Sequence, residues 1–247
     1  MRFDQLVYSR IKIVASSCSG TPSKNVVNAW RRASSRSSRE HPAFAVSVAV
    51  AKYTDHLPLE QIIIQGHRGV GDLAEENTIE AFELAWKLGI YPESDLRMTK
   101  DGVIVPFHDN TFARVVKAAS PELKKKGVKD LTYAELAKLD VGSWKGEQFA
   151  GRRVVPMAKI FELMRGRPER HLYMDIKSIE FPRLAAEVRK YGLEKQIVLA
   201  SRQVAQLREW KALVPESETL LWMHGNEAEL RRDLDAHRAT NYAGITQ

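Results

Sequence analysis

From Leu59 onward, short apolar runs alternate with stretches of helical period, and that rhythm leaves the chain few architectures. Seven strands are predicted, over 61–66, 90–96, 102–107, 171–176, 196–201, 218–224 and 242–245. The helix between the first two has clear ends. Asn77 is the predicted N-cap with Glu80 three residues on, Ile79, Phe82 and Trp86 share a face, and Gly89 closes the last turn. Thr132 and Glu135 have the spacing of a second capping box, and further helical stretches fall over 157–165, 182–191, 203–213 and 226–236. Strands separated by helices pair in parallel, so the fold class is α/β.

A doubly wound sheet and an eight-stranded barrel both fit this alternation, and the polar residues choose between them. Barrel enzymes place their chemistry at the C-terminal ends of several strands. Here His67 follows the first strand, Glu93 and Asp95 lie on the second, His108 and Asp109 follow the third, and Asp175 and Lys177 mark the fourth. The glycines of "GHRGVG" lack the spacing of a dinucleotide-binding turn. A (β/α)8 barrel of the TIM type is therefore expected.

Charge separates the chain into two parts. Residues 1–58 carry nine Lys and Arg against three Asp and Glu, whereas residues 59–247 carry 29 against 28. All but one unit of the +7 net charge thus belongs to the leader, and the near-neutral body argues against a nucleic-acid partner. The leader's "RRASSRSSRE" has little to bury, so 1–58 is expected to be a poorly ordered extension, with a transit-like or secretory segment as alternatives. Cys18 is the only cysteine, which rules out a disulfide within the chain. No run reaches the roughly 20 apolar residues of a membrane span. A soluble chain is expected, with the cytoplasm favoured over export.

Side chains two apart on a strand share a face, so Glu93 pairs with Asp95 and Asp175 with Lys177. If those faces line a barrel, three carboxylates converge, and desolvation and mutual repulsion both oppose their charge. A salt-bridge network with Arg68, Arg97 and Lys177 is one remedy. The other is a hard divalent cation, Mg²⁺ or Ca²⁺, held by carboxylate oxygens. His67 and His108 would flank it as a proton-transfer pair. Arginine's planar fork suits phosphate oxygens, so Arg68 beside Lys177 points to a small phosphorylated substrate.

The ordered set "GHRG", "ENTIEAFELAWKLG", "ESD", "TKDGVIVPFHD" and "MDIKS" resembles the signature of the glycerophosphodiester phosphodiesterases. "LTYAELAKLDVGSWKGEQFAGRRVVPMAKIFELM" is similar to that family's insertion after the third strand. The resemblance implies a barrel that hydrolyses glycerophosphodiesters to glycerol 3-phosphate and an alcohol. It also implies that Glu93, Asp95 and Asp175 hold the metal, that His67 and His108 are catalytic, and that Arg68 and Lys177 bind phosphate.

The chain departs from the family pattern in three places. Asp175 stands where the main pattern has glutamate, although related phospholipase D toxins carry aspartate there. Arg202 replaces an aromatic residue after the fifth strand. The body from Leu59 has 189 residues, against roughly 250 for a typical barrel, so a domain over 59–247 cut short near the seventh strand is expected. The alternatives are lysophospholipase D or sphingomyelinase D chemistry, with Trp222 and Met223 beside an apolar groove, or a truncated barrel that binds metal and phosphate without turnover.

Overall fold

The computed structural model describes residues 11–15, 62–223 and 225–232. β1 (Ile11–Ala15) lies antiparallel to β2 (Ile62–Gly66), and α1 (Ile79–Lys87) carries the chain from β2 to the parallel β3 (Tyr91–Met98). β4 (Ile104–Pro106) returns antiparallel along β3. The insertion follows, with α2 (Pro121–Lys125), α3 (Tyr133–Leu136) and then α4 (Met157–Met164). β5 (Leu172–Ser178), α5 (Phe181–Tyr191), β6 (Ile197–Ser201), α6 (Val204–Leu213) and β7 (Glu218–Leu221) complete the order. The five parallel strands stand β2-β3-β5-β6-β7, a curled α/β half-barrel of the TIM type.

Two expectations are corrected. The predicted third parallel strand, 102–107, is a hairpin partner of β3, because only five residues separate Met98 from Ile104. A parallel return needs a crossover of about a dozen residues. Gly102 turns the chain at φ +82°, and the Thr99 hydroxyl accepts from the Val103 amide at 2.9 Å. The leader, expected to be a poorly ordered extension, supplies Ile11–Ala15 at the β2 edge. The rest of the expected extension over 1–58 and the predicted strand over 242–245 lie outside the described residues. Of the predicted helix over 226–236, residues 227–232 are helical, Asn226 is described but not helical, and 233–236 lie outside the described residues.

α1 begins one residue later than predicted. Thr78 caps it, its hydroxyl accepting from the Ala81 amide at 3.3 Å, while Asn77 takes φ 55° just outside. Glu80, the expected partner in a capping box, instead meets Arg152 at 2.6 Å. Gly89 does end the helix, at φ 75°. The Thr132–Glu135 capping box is present and opens the single turn of α3.

Strand alternation then sets what faces what. Leu96 on β3, Leu172 and Met174 on β5, and Leu199 on β6 pack towards the helices with Phe82, Phe161 and Trp210. Each fully buried side chain of this size contributes about 1.5–3 kcal/mol. The intervening residues, Glu93, Asp95, Tyr173 and Asp175, are left for the opposite face. The insertion carries its own core around Phe107, Phe112, Val128, Leu136 and Val154, so it is a packed lobe beside the sheet.

Candidate active site

β3 and β5 pair in a register that sets Asp95 directly beside Asp175, with Glu93 two residues earlier on the same face as Asp95. Neighbouring strands are about 4.8 Å apart, so paired aspartates cannot avoid each other. Glu93 reaches the same spot with one more methylene. One carboxylate oxygen from each of the three lies within 4.8 Å of the others. Glu93 and Asp95 are buried and Asp175 is partly so.

Burying this much negative charge requires compensation. Lys177 supplies part of it, its Nζ lying 2.8 Å from Asp175 and 3.2 Å from Asp95. Burial works to lower its pKa, but Asp95 and Asp175 outweigh that and raise it. The Arg68 Nε lies 3.5 Å from Asp95. Asn77 completes the set. Its amide donates to Asp95 Oδ2 at 2.8 Å and its carbonyl accepts from the Asp95 amide at 3.0 Å.

The salt-bridge network expected of Arg68 and Lys177 is therefore present, whereas Arg97 does not join it. The register of β3 against β5 shifts between Leu96 and Arg97, which breaks the alternation, and Arg97 donates to the His108 carbonyl at 2.6 Å and 3.1 Å. Burial lowers the pKa of its guanidinium.

The donor set fits a hard divalent cation. Oxygens bound to one Ca²⁺ at 2.3–2.6 Å are at most about 5 Å apart, and the three carboxylates, all oxygen donors, satisfy that limit.

Both histidines open onto the same cavity as the carboxylates, a space of about 450 Å³ that Lys177 also lines. His67 Nε2 is 3.9 Å from Glu93. His108 Nδ1 is 2.7 Å from Asp109 Oδ1. Burial disfavours the charge on Asp109, but hydrogen bonds from Arg114 and His108 outweigh it and hold the carboxyl below its ordinary range. An ionised carboxylate only accepts, so Nδ1 of His108 carries the hydrogen and Nε2 is left for chemistry.

The far side of the cavity is Ser201, Arg202, Gln203, Gln206 and Trp222. Of these, sequence reasoning singled out Arg202 and Trp222. Met223, expected beside Trp222, is not among the lining residues. Asn77 was expected as a helix cap and not as a partner of Asp95, and Glu76, Asp109 and Arg114 were given no role at the site, although "ENT" and "HD" were visible.

Carboxylates, imidazoles and cations gathered at the C-terminal strand ends of a TIM-type sheet form the layout on which barrel enzymes build metal-assisted chemistry. The glycerophosphoryl diester phosphodiesterase family model matches residues 67–245, and the chain belongs to that family. A glycerophosphodiester phosphodiesterase of Caldanaerobacter subterraneus subsp. tengcongensis is 34% identical over 160 residues, 62% of this chain and 63% of the relative. The crystal structure of a glycerophosphodiester phosphodiesterase from Agrobacterium tumefaciens superposes with a TM-score of 0.55 at 28% identity, over 63% of this chain and 64% of that one. A phosphodiesterase from Oleispira antarctica, solved in complex with the product sn-glycerol-3-phosphate, gives a TM-score of 0.55 at 25% identity over 70% of each chain. The chain spans less than two thirds of the length of the first two of these proteins.

Proposed function

We propose that the chain hydrolyses glycerophosphodiesters to glycerol 3-phosphate and an alcohol. The observation that carries this reading is the carboxylate cluster of Glu93, Asp95 and Asp175 facing one cavity with His67 and His108. Those three residues would hold the divalent ion, Mg²⁺ or Ca²⁺, which when bound stabilises charge on phosphate oxygens. Lys177, on the cavity wall, offers a point charge to the remaining oxygens, and Arg68, which is held by Asp95 and Glu76 and is not among the lining residues, would bind phosphate by turning its planar fork from Glu76. Together they neutralise and orient the diester, so that attack and departure lie in line.

The histidines divide the proton work. One imidazole takes the proton of the attacking hydroxyl, from water or from the substrate itself, and the other gives a proton to the leaving alkoxide. Asp109 keeps the His108 ring in one tautomer while this happens. The cavity wall suits small polar esters. Its apolar side chains among the described residues are Ile176 and Trp222, too few to sheath an acyl chain.

Incubation of the purified chain with Mg²⁺ or Ca²⁺ and either glycerophosphocholine or lysophosphatidylcholine tests the reading. Glycerol 3-phosphate released from the first is expected. Choline released from the lysolipid alone would favour lysophospholipase D chemistry, and products from neither would favour a binding barrel without turnover.

A further inference from the structure

The insertion contributes a cation whose contacts the chemistry above does not use. Arg114 donates through Nε and Nη2 to both oxygens of Asp109, at 2.7 Å and 3.0 Å. Through Nη1 and Nη2 it donates to both oxygens of Glu76, at 2.9 Å and 2.6 Å. Its guanidinium also lies over the Trp144 ring, 4.9 Å from the centroid. Glu76 in turn accepts from Arg68 Nη1 at 3.1 Å through each oxygen. Asp95, Arg68, Glu76, Arg114 and Asp109 thus form one chain of alternating charge, running from a carboxylate of the cluster to the hydrogen-bond partner of the His108 imidazole.

An exposed ion pair is ordinarily worth about 0–1 kcal/mol and fixes nothing. Arg114 differs in two respects. The carboxylates it holds are mostly buried, with side-chain exposures of 12% for Glu76 and 20% for Asp109. Each is engaged through both oxygens, which leaves neither free to rotate. Only a planar guanidinium with five donors can serve two carboxylates in this way, since an ammonium lacks the fork.

The geometry assigns Arg114 as a positioning residue: it locks Asp109, and through it the imidazole of His108, against the loop that carries Arg68. This rests on the reading of His108 as half of the proton-transfer pair. Arg114 is not among the residues lining the cavity, so it reaches the substrate only through others.

The test uses the full chain loaded with Mg²⁺ or Ca²⁺, and the variants Arg114→Lys and Arg114→Met. With glycerophosphocholine, kcat is expected to fall about tenfold to a hundredfold in both, the scale of a slight misplacement of a reacting group. KM should stay close to wild type, and lysine should restore little although it keeps the charge. The Nδ1–H proton resonance of His108, assigned with His108→Gln, should be sharp in the wild type and broadened or lost in both variants. An unchanged kcat and an unchanged resonance would overturn the assignment, as would a loss matched by the unfolded fraction in thermal melts. Absence of turnover in the wild type would instead overturn the functional reading, and the resonance would still decide whether Arg114 orders His108.

Discussion

The acids of the site and its histidines are held by different means. Glu93, Asp95 and Asp175 stand on paired strands, where backbone register fixes their spacing. His67, Arg68 and His108 stand on connections, and beside contacts to β3 those connections are clasped by charge from the insertion. Arg114 grips Glu76 from 38 residues away, and the Lys145 ammonium bonds the Gly71 and Ala74 carbonyls. Arg152 reaches back to Glu75 and Glu80 at 2.7 Å and 2.6 Å. Strands give geometry that survives loss of a side chain, whereas a loop clasped by ion pairs keeps its geometry only while the pairs last.

The largest effect should come from the strand-borne set. Asp95 touches Lys177, Arg68 and Asn77 and belongs to the carboxylate cluster, so Asp95→Ala should abolish both detectable turnover and binding of the metal. Calorimetric titration with Mg²⁺ or Ca²⁺ checks the second point, and metal bound at wild-type affinity would remove Asp95 from the ligand set. On the loop side, His67→Ala and His108→Ala should each lower kcat by ~10²–10⁴-fold with the fold intact. Retention of more than about a tenth of the rate by either variant would refute its role.

Smaller effects sharpen the contrast. Asp109→Asn replaces an acceptor-only carboxylate with an amide that can also donate to Nδ1, so the His108 tautomer is no longer fixed while the cavity's acids are untouched, and kcat should drop about tenfold to a hundredfold. Circular dichroism and metal titration should match the wild type. The smallest effect lies near the start of β5, away from the cluster. His171 stacks on Tyr91 at 4.4 Å, and burial lowers its pKa below the ordinary 6.5 in spite of the nearby Glu169 and Glu218. A group held neutral in the fold stabilises it fully above that ordinary value and loses the contribution as pH falls through the lowered one. Melting temperature should therefore decline below pH 6.5, and less so in His171→Gln. An identical pH dependence in the variant would show that His171 carries none of it.

Legibility in the sequence follows the same division. Period and alternation brought Glu93, Asp95, Asp175 and Lys177 onto one face, because neighbours two apart on a strand have no choice of direction. The helices over 157–165, 182–191 and 203–213 were equally plain, since each carries its own apolar stripe. Asn77 was misassigned because asparagine serves both as a cap and as a residue that tolerates positive φ, and only the fold shows its amide spent on Asp95. The clasp of Arg114, Lys145 and Arg152 had no linear signal at all. Nothing in the spacing of an arginine and a glutamate tens of residues apart says that they meet. The antiparallel β4, by contrast, could have been read from the five-residue link before it.

Metal dependence tests the whole arrangement most directly. After exhaustive chelation the purified chain should release no glycerol 3-phosphate from glycerophosphocholine, and stoichiometric Mg²⁺ or Ca²⁺ should restore turnover in the wild type but not in Asp175→Ala. Turnover that persists without metal, or that returns equally in the variant, would contradict a site organised by Glu93, Asp95 and Asp175 around a divalent ion.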